Sequence, residues 1–171
     1  QICVVSVSCA DGMHRLDEYS RFEEDTLIGE TEWITRVVGG KADVYLKEVV
    51  EVVLPFASSF ASLKPTWMMV GSSMGGVISL TAMIEYPHLF TKIAGLSNAF
   101  WFAKEAFLSY VANATLLPHH HVYLDVGTKE SGIQPLSEAY VASNVAVANA
   151  LLHQPLGSLT FVRVVDGKHH E

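Results

Sequence analysis

Hydrophobic residues occur in short, β-branched runs that alternate with longer stretches of helical spacing. Runs that are apolar throughout are typical of parallel strands covered on both faces. Turn residues such as glycine, proline and serine separate the runs from the stretches between them. The predicted strands are Ile2 to Ser8, Trp67 to Val70, Lys92 to Leu96, His121 to Val126 and Leu159 to Val165.

The stretches between these strands predict helices. Apolar residues at i, i+3, i+4 and i+7 in residues 41–56 indicate an amphipathic helix. Further helices are predicted at Val77 to Tyr86, at Ala103 to Ala114 and from Pro135 to about His153. The alternation predicts an α/β fold, a parallel sheet with helices on both faces.

The segment from Arg15 to Trp33 differs from the rest because it is polar and acidic and shows no regular period. Gly29 interrupts it, and the pair Gly39-Gly40 follows it. We therefore predict an irregular segment whose charges form a solvated face.

A Gly-x-Ser-x-Gly frame lies where the strand ending at Gly71 meets the next helix, with Ser73 at its centre. A serine in this context sits on a nucleophile elbow, a strained strand-to-helix turn that exposes its hydroxyl. Gly71 and Gly75 are predicted to prevent side-chain clashes at the turn. The Met74 amide is predicted to face a developing oxyanion at the helix N-terminus. An ordinary glycine-rich turn is the alternative interpretation.

Two other residues that could take part in catalysis also follow predicted strands. Glu130 lies in the loop after one strand, and His169 lies in the loop after the last. With Ser73 they give the chain order serine, acid, histidine, which is that of the α/β-hydrolase arrangement. The alternative for the histidine is a solvated surface loop.

Composition narrows the class of partner. The 171 residues are 50% hydrophobic and carry a net charge of −7. Without a basic cluster, that charge argues against nucleic acid or an anionic membrane as a partner. No apolar run reaches the roughly 18 residues of a membrane span.

The two cysteines, Cys3 and Cys9, lie on one predicted strand and cannot bridge each other there. Free thiols fit a reducing compartment, so we expect a cytoplasmic location.

Two further clusters were considered as ligand sites. The adjacent residues His119 to His121 cannot all point at one ion from an extended segment, so we expect no metal there. We expect no other cofactor either. Phe100, Trp101 and Phe102 follow a strand at the sheet edge where α/β proteins bind ligands. They are interpreted equally well as a substrate wall or as core.

Four motifs together resemble the esterase D-type esterases of the α/β-hydrolase superfamily, a group with siderophore, feruloyl and acetyl esterases and mycolyltransferases. The motifs are Gly-Ser-Ser-Met-Gly-Gly, Tyr-Leu-Asp-Val-Gly-Thr-Lys-Glu, Asp-Gly-Lys-His-His-Glu and Arg-Leu-Asp-Glu-Tyr-Ser. The resemblance covers nearly the whole chain. It implies that Ser73 is the nucleophile, that His169 is the general base and that Glu130 orients the imidazole.

The resemblance also favours one residue where two are available. Glu130 is preferred to Asp125 because the family places its acid at the last position of Gly-x-x-Asp/Glu. His169 is preferred to His170 because the family pattern is His-x-Glu, matched here by residues 169–171.

The chain departs from the family at its start. Its first predicted strand corresponds to one that normally follows several others, and no segment matches the loop that donates the second oxyanion amide. We therefore expect residues 1–171 to form a single α/β-hydrolase domain without its N-terminal strands. Two explanations are open. The chain is a piece of a longer enzyme, shortened at both ends, or it is a degenerate homologue whose sheet lacks a strand.

The expected function is that of a serine carboxylic ester hydrolase that acts on a small-molecule ester through an acyl-enzyme. Acyl transfer to an alcohol and a non-catalytic binding module on the same fold are the alternatives. The sequence leaves open whether the protein forms a homo-oligomer.

Overall fold

A computed structural model describes residues 2–27, 34–60 and 64–169 of the chain. The chain divides into two compact units, Gln1–Pro65 and Thr66–Glu171. The candidate catalytic residues all belong to the second unit.

The first unit is mainly helical. Its helices are α1 (Met13–Tyr19), α2 (Ala42–Glu48) and α3 (Leu54–Phe60), and a short antiparallel pair joins β1 (Glu23–Glu24) to β2 (Val38–Gly39). A π-helical segment, Val49–Val53, connects α2 to α3. The helix predicted in residues 41–56 is therefore confirmed. The π-helical segment ends at Val53, two residues before Pro55, which cannot donate to the carbonyl four residues earlier.

Two predictions of secondary structure for this unit are wrong. Residues Ile2 to Ser8 do not form a strand, and the side chains of Ile2 and Val4 are 90% and 85% exposed. A strand requires a hydrogen-bonded neighbour, and none of the described strands pairs with this segment. Residues Arg15 to Tyr19 were predicted to be irregular but belong to α1. The later part of that polar segment, residues 28–33, lies outside the described residues.

Asp17 contradicts the predicted solvated face, because its side chain is only 2% exposed. Its carboxylate accepts hydrogen bonds from both terminal nitrogens of Arg36, at 3.0 and 2.6 Å, and from the Gly39 N–H at 3.0 Å. The Arg36 hydrogen bonds, with the Gly39 N–H and the charges of Arg36 and Lys41, outweigh burial and lower the Asp17 pKa to about 2. Asp17 thus ties α1 to the strand β2.

The second unit contains a four-stranded parallel sheet in the order β3-β4-β5-β6. The predicted strands are confirmed with small shifts of their ends. They are β3 (Trp67–Ser72), β4 (Phe90–Leu96), β5 (His121–Gly127) and β6 (Ser158–Val164). Because all strands run the same way, the loops that leave their carboxyl ends meet at one edge of the sheet.

Three helices connect these strands: α4 (Met74–Glu85), α5 (Lys104–Ala112) and α6 (Gln134–Leu152). Helices α4 and α6 pack against the sheet, and α5 packs against α6. Each connects a strand to its next neighbour in the same direction, so right-handed crossovers place all three helices on one face. None of the described helices is both long enough and apolar enough to cross a membrane.

The two faces of this sheet differ in exposure. Ile93, Leu124 and Val126 are buried on the face that the helices cover. The opposite face exposes apolar side chains, namely Met68, Val70, Leu96, Val162 and Val164. The sequence predicts helices on both faces, whereas the described part of this unit, taken by itself, has them on one.

The Asp17 cluster gives a prediction about acid stability. The folded-state pKa of about 2 lies below the ordinary value of 3.8, so the ionised carboxylate stabilises the fold at pH values above 3.8. This contribution is lost as the pH falls from 3.8 towards 2. Asp17→Asn should lower the free energy of unfolding by about 2 kcal/mol at pH 7, measured by urea denaturation.

The matched control for that substitution is Asp43→Asn. The Asp43 side chain is 69% exposed and lies 4.0 Å from Arg21. Exposed ion pairs contribute little, so the stability of this variant should stay close to that of the wild type. Equal losses for the two variants at pH 7 would contradict the role assigned to Asp17.

Candidate active site

Ser73 occupies the turn between β3 and α4 with a backbone that few residues adopt. Its φ is 59° and its ψ is −121°. The Ser73 N–H donates to the Leu96 carbonyl at 2.9 Å, and the Ser73 carbonyl accepts from the Ala99 N–H at 3.2 Å. The end of β4 therefore holds the N–H of the serine, and the loop that follows β4 holds its carbonyl.

The glycines of the turn differ in what they accommodate. A Cβ at Gly71 would overlap the Gly75 backbone, so the prediction for Gly71 is confirmed. A Cβ at Gly75 would meet nothing within 4 Å, so the prediction of a clash there is wrong. The second crowded position is Gly76, where a Cβ would overlap the side-chain oxygen of Asn98.

Met74 is the first residue of α4, and Ser73 is its N-cap. The first N–H groups of a helix have no partner within the helix. The Ser73 side chain does not cap them. The Met74 amide therefore lies at the positive end of a twelve-residue helix, directly after the serine.

Glu130 and His169 are in direct contact. The Glu130 Oε2 atom lies 2.7 Å from His169 Nδ1, and the Gly127 N–H donates to the other carboxylate oxygen. The Glu130 side chain is fully buried, whereas that of His169 is 19% exposed. A buried carboxylate thus fixes one ring nitrogen of a histidine whose ring is partly open to solvent.

Hydrogen bonds between the loops after β5 and β6 hold this pair together. The Lys129 N–H donates to the Gly167 carbonyl at 2.9 Å, and the Thr128 N–H donates to the Val164 carbonyl at 3.0 Å. The Asp166 N–H donates to the Thr128 hydroxyl at 2.8 Å. These backbone contacts hold the loop that carries Glu130 beside the loop that carries His169.

The structure brings two of the three predicted catalytic side chains together. Among the described residues, no hydrogen bond joins the Ser73 hydroxyl to His169. Ser73 and the pair Glu130–His169 nevertheless lie at the same edge of the sheet, after β3, β5 and β6.

Asp125 and His170 are the alternatives to Glu130 and His169. The Asp125 Oδ1 atom accepts a hydrogen bond from the Ser97 N–H at 2.9 Å, so this carboxylate supports the loop after β4. His170 lies outside the described residues.

The three aromatic residues after β4 have different surroundings. Phe100 and Phe102 are buried, and Phe100 stacks on Phe107 with 5.3 Å between ring centroids. Trp101 packs edge-on against Tyr140 at 5.7 Å, and Tyr140 packs against the His169 ring at 5.3 Å. Of the three, Trp101 therefore belongs to an aromatic row that reaches His169. Their role as a substrate wall stays a prediction.

A cavity of about 800 Å³ opens beside His169. Its lining combines Glu130 and His169 with residues from the start of α6 and from the two loops. Those residues include Lys129, Leu136, Tyr140 and Lys168.

The histidine run does not form a metal cluster in the part of the chain that the structure describes. His120 is buried, its Nδ1 accepts from the Leu117 N–H at 3.1 Å and its Nε2 lies 2.7 Å from the Pro87 carbonyl. The His120 pKa is lowered, and burial of the ring is the largest cause. This residue therefore supports the loops at the opposite edge of the sheet.

Sequence reasoning missed a pair of buried asparagines near Ser73. Asn98 and Asn144 are fully buried, and the Asn98 side-chain nitrogen donates to Asn144 Oδ1 at 3.1 Å. The available signal was Asn144, a polar residue on the side of α6 that also carries Tyr140, Val147 and Leu151.

The strand order, the strained serine turn and the acid–histidine pair define an α/β-hydrolase-like fold. A family model described as Putative esterase matches residues 5–171. The chain therefore belongs to that family. Its match with the uncharacterized protein YbbA of Bacillus subtilis is 27% identical over 128 residues, and covers 68% of this chain and 46% of YbbA.

Solved structures share the fold. The siderophore hydrolases EstA and EstB of Aspergillus nidulans superpose with TM-scores of 0.70 and 0.72 at 20% and 15% identity. The match with EstA covers 92% of this chain and 61% of EstA. The match with EstB covers 94% of this chain and 60% of EstB. An IroE-like serine hydrolase of Shewanella oneidensis gives a TM-score of 0.71 at 18% identity, with 91% of this chain and 52% of that one covered. The chain thus spans about half to three fifths of these proteins.

The crowding around the turn predicts opposite effects for its neighbouring glycines. Gly76→Ala should lower the free energy of unfolding by about 1–3 kcal/mol, since the new methyl group overlaps the buried Asn98 side chain. Gly75→Ala is the control and should be neutral or stabilise the fold by up to about 1 kcal/mol, because alanine favours a helix. Urea denaturation measures both, and an equal loss in the two variants would contradict this packing.

Proposed function

We propose that this protein is a serine carboxylic ester hydrolase that works through an acyl-enzyme, with water as the second acceptor. The observation that carries the proposal is the 2.7 Å contact between Glu130 and His169 at the sheet edge that also bears the strained Ser73 turn. Membership of the Putative esterase family supports the same reaction class.

In this mechanism Ser73 attacks the carbonyl carbon of the ester. His169 accepts the hydroxyl proton through Nε2 and then donates it to the leaving alcohol. Glu130 contacts Nδ1, so it selects the tautomer whose Nε2 is unprotonated and stabilises the imidazolium that forms. Water then repeats the attack on the acyl-enzyme with the same base.

The step from Ser73 to His169 is part of the proposal. Hydrogen bonds between catalytic groups are often long without substrate and shorten in the reacting complex. His169 lies on a loop after β6, and its partly exposed ring can turn about the Glu130 contact. The proposal is that the imidazole and the Ser73 hydroxyl come into hydrogen-bond contact when substrate binds, while the sheet stays unchanged.

The negative oxygen that forms during attack would accept a hydrogen bond from the Met74 N–H. That amide follows the nucleophile directly and lies at the positive end of α4. One such donor contributes about 2.7–4 kcal/mol of transition-state stabilisation.

The proposed substrate is a small-molecule ester bound beside His169. The 800 Å³ cavity gives room for one part of it, and Trp101 is proposed to contact it through the aromatic row that ends at His169. The names of EstA and EstB make siderophore esters a sensible first addition to a substrate panel.

Substitution of the nucleophile tests the proposal. Ser73→Ala should lower kcat for p-nitrophenyl esters by about 10⁴–10⁶ and abolish labelling by a fluorophosphonate probe. The control is Ser72→Ala, which removes an exposed neighbouring hydroxyl from the end of β3. This control should retain the label and most of the activity.

Ester hydrolysis that survives Ser73→Ala, or a fluorophosphonate adduct on another residue, would contradict the proposal. Absence of both hydrolysis and labelling in the wild type would favour a binding module. An ester product formed with an added alcohol would instead identify a transferase.

A further inference from the structure

The loop after β4 contains a fully buried polar residue, Asn98, that the proposed reaction does not use. It lies between Ser97, whose φ is 48°, and Ala99, whose N–H bonds to the Ser73 carbonyl. A buried amide must exchange its hydrogen bonds with water for bonds within the protein. The bonds that Asn98 makes therefore indicate what it does.

The side-chain nitrogen of Asn98 bonds to three different segments. It lies 3.0 Å from the Gly95 carbonyl, 3.2 Å from the Asp125 carbonyl and 3.1 Å from Asn144 Oδ1. Asn144 returns a bond, since its own nitrogen donates to the Asn98 carbonyl at 2.7 Å. One side chain thus joins the end of β4, strand β5 and helix α6.

The side-chain oxygen of Asn98 is buried without a hydrogen-bond partner. It occupies the space that a Cβ would need at Gly76 in α4 and at Gly95 in β4. If the amide were turned over, its oxygen would point at three acceptor oxygens. Only the observed orientation therefore gives the side-chain nitrogen its hydrogen-bond partners. Leaving this oxygen unpaired costs free energy, and the fold accepts that cost at this position.

The hydrogen bonds of Asn98 affect Ser73 because the backbone on either side of Asn98 bonds to the serine. The Leu96 carbonyl holds the Ser73 N–H, and the Ala99 N–H holds the Ser73 carbonyl. A serine with φ near +60° is strained, so surrounding structure must hold it there, and these two hydrogen bonds are part of that support. Asn98 lies between Leu96 and Ala99 and fixes them to β5 and α6.

We propose that Asn98 is a positioning residue that keeps Ser73 in its reactive conformation, and that Asn144 supports it. This inference rests on the proposed function for its kinetic consequence. Its structural consequence, the fixed backbone of the turn, does not depend on that function.

The test compares Asn98→Ala with a matched control, Thr81→Val. Thr81 is also fully buried, and its hydroxyl bonds to the Val77 carbonyl within α4. The control therefore removes a buried hydrogen bond without touching the loop after β4. Melting temperatures of both variants show how much stability each loses.

Two measurements follow on the intact protein. The first is the rate of Ser73 labelling by a fluorophosphonate, with kcat and KM for a p-nitrophenyl ester. Asn98→Ala should slow labelling and kcat by about tenfold or more while KM stays similar, because a misplaced nucleophile affects the chemical step. Thr81→Val should label at the wild-type rate.

The second measurement is amide hydrogen exchange in the peptide that spans residues 68–78. Loss of Asn98 should speed exchange there, because the Ser73 N–H would lose its fixed acceptor, whereas Thr81→Val should leave the Ser73 amide protected. Where Asn98→Ala fails to fold, Asn144→Ala replaces it, since it removes one partner of Asn98 and keeps the other two. It should change labelling and exchange in the same direction.

The inference would be overturned if the wild type is labelled and Asn98→Ala is labelled at the same rate. An equal slowing in Thr81→Val at an equal loss of melting temperature would also overturn it. A wild type that takes no label contradicts the proposed hydrolase, and exchange then decides this inference alone. Unchanged exchange around residue 73 would overturn it.

Discussion

The backbone of Ser73 is the constraint on which the site depends. A non-glycine residue at φ 59° and ψ −121° costs on the order of 1–3 kcal/mol, so neighbouring structure must hold it there. Strand β3 leads into the turn, α4 leads out, and the end of β4 with its following loop bonds to both peptide groups of the serine. The strain is therefore supported by three elements at once, and it lifts one hydroxyl to the edge of the sheet.

The acid and the histidine depend on a second set of backbone contacts. The loops after β5 and β6 are bonded to each other, and their contact brings Glu130 and His169 together although 38 residues separate them in the chain. Helix α6 contacts both groups of residues. Its Asn144 bonds to Asn98, next to the residue that holds the Ser73 carbonyl, and its Tyr140 packs on the His169 ring. The parallel sheet thus collects at one edge residues that the chain places far apart.

Much of this fold follows from the sequence because β-branched runs and helical periods are local signals. Strands β3 to β6 and helices α4 to α6 were predictable from those signals, and the Gly-x-Ser-x-Gly frame identified the turn. The failures involve distant partners. Residues 2–8 have the composition of a strand, but none of the described strands pairs with them. Asp17 is charged but buried against Arg36. The reason for Gly76 is likewise invisible until Asn98 is placed beside it.

The central claim is that Ser73, His169 and Glu130 act as one relay. A crystal structure of the phosphonylated protein tests it most directly. The account predicts phosphorus on the Ser73 oxygen, one phosphonyl oxygen within hydrogen-bond distance of the Met74 N–H, and His169 Nε2 turned towards the adduct while Nδ1 keeps its bond to Glu130. An adduct on any other residue, or an imidazole that does not face the Ser73 adduct, would contradict the account.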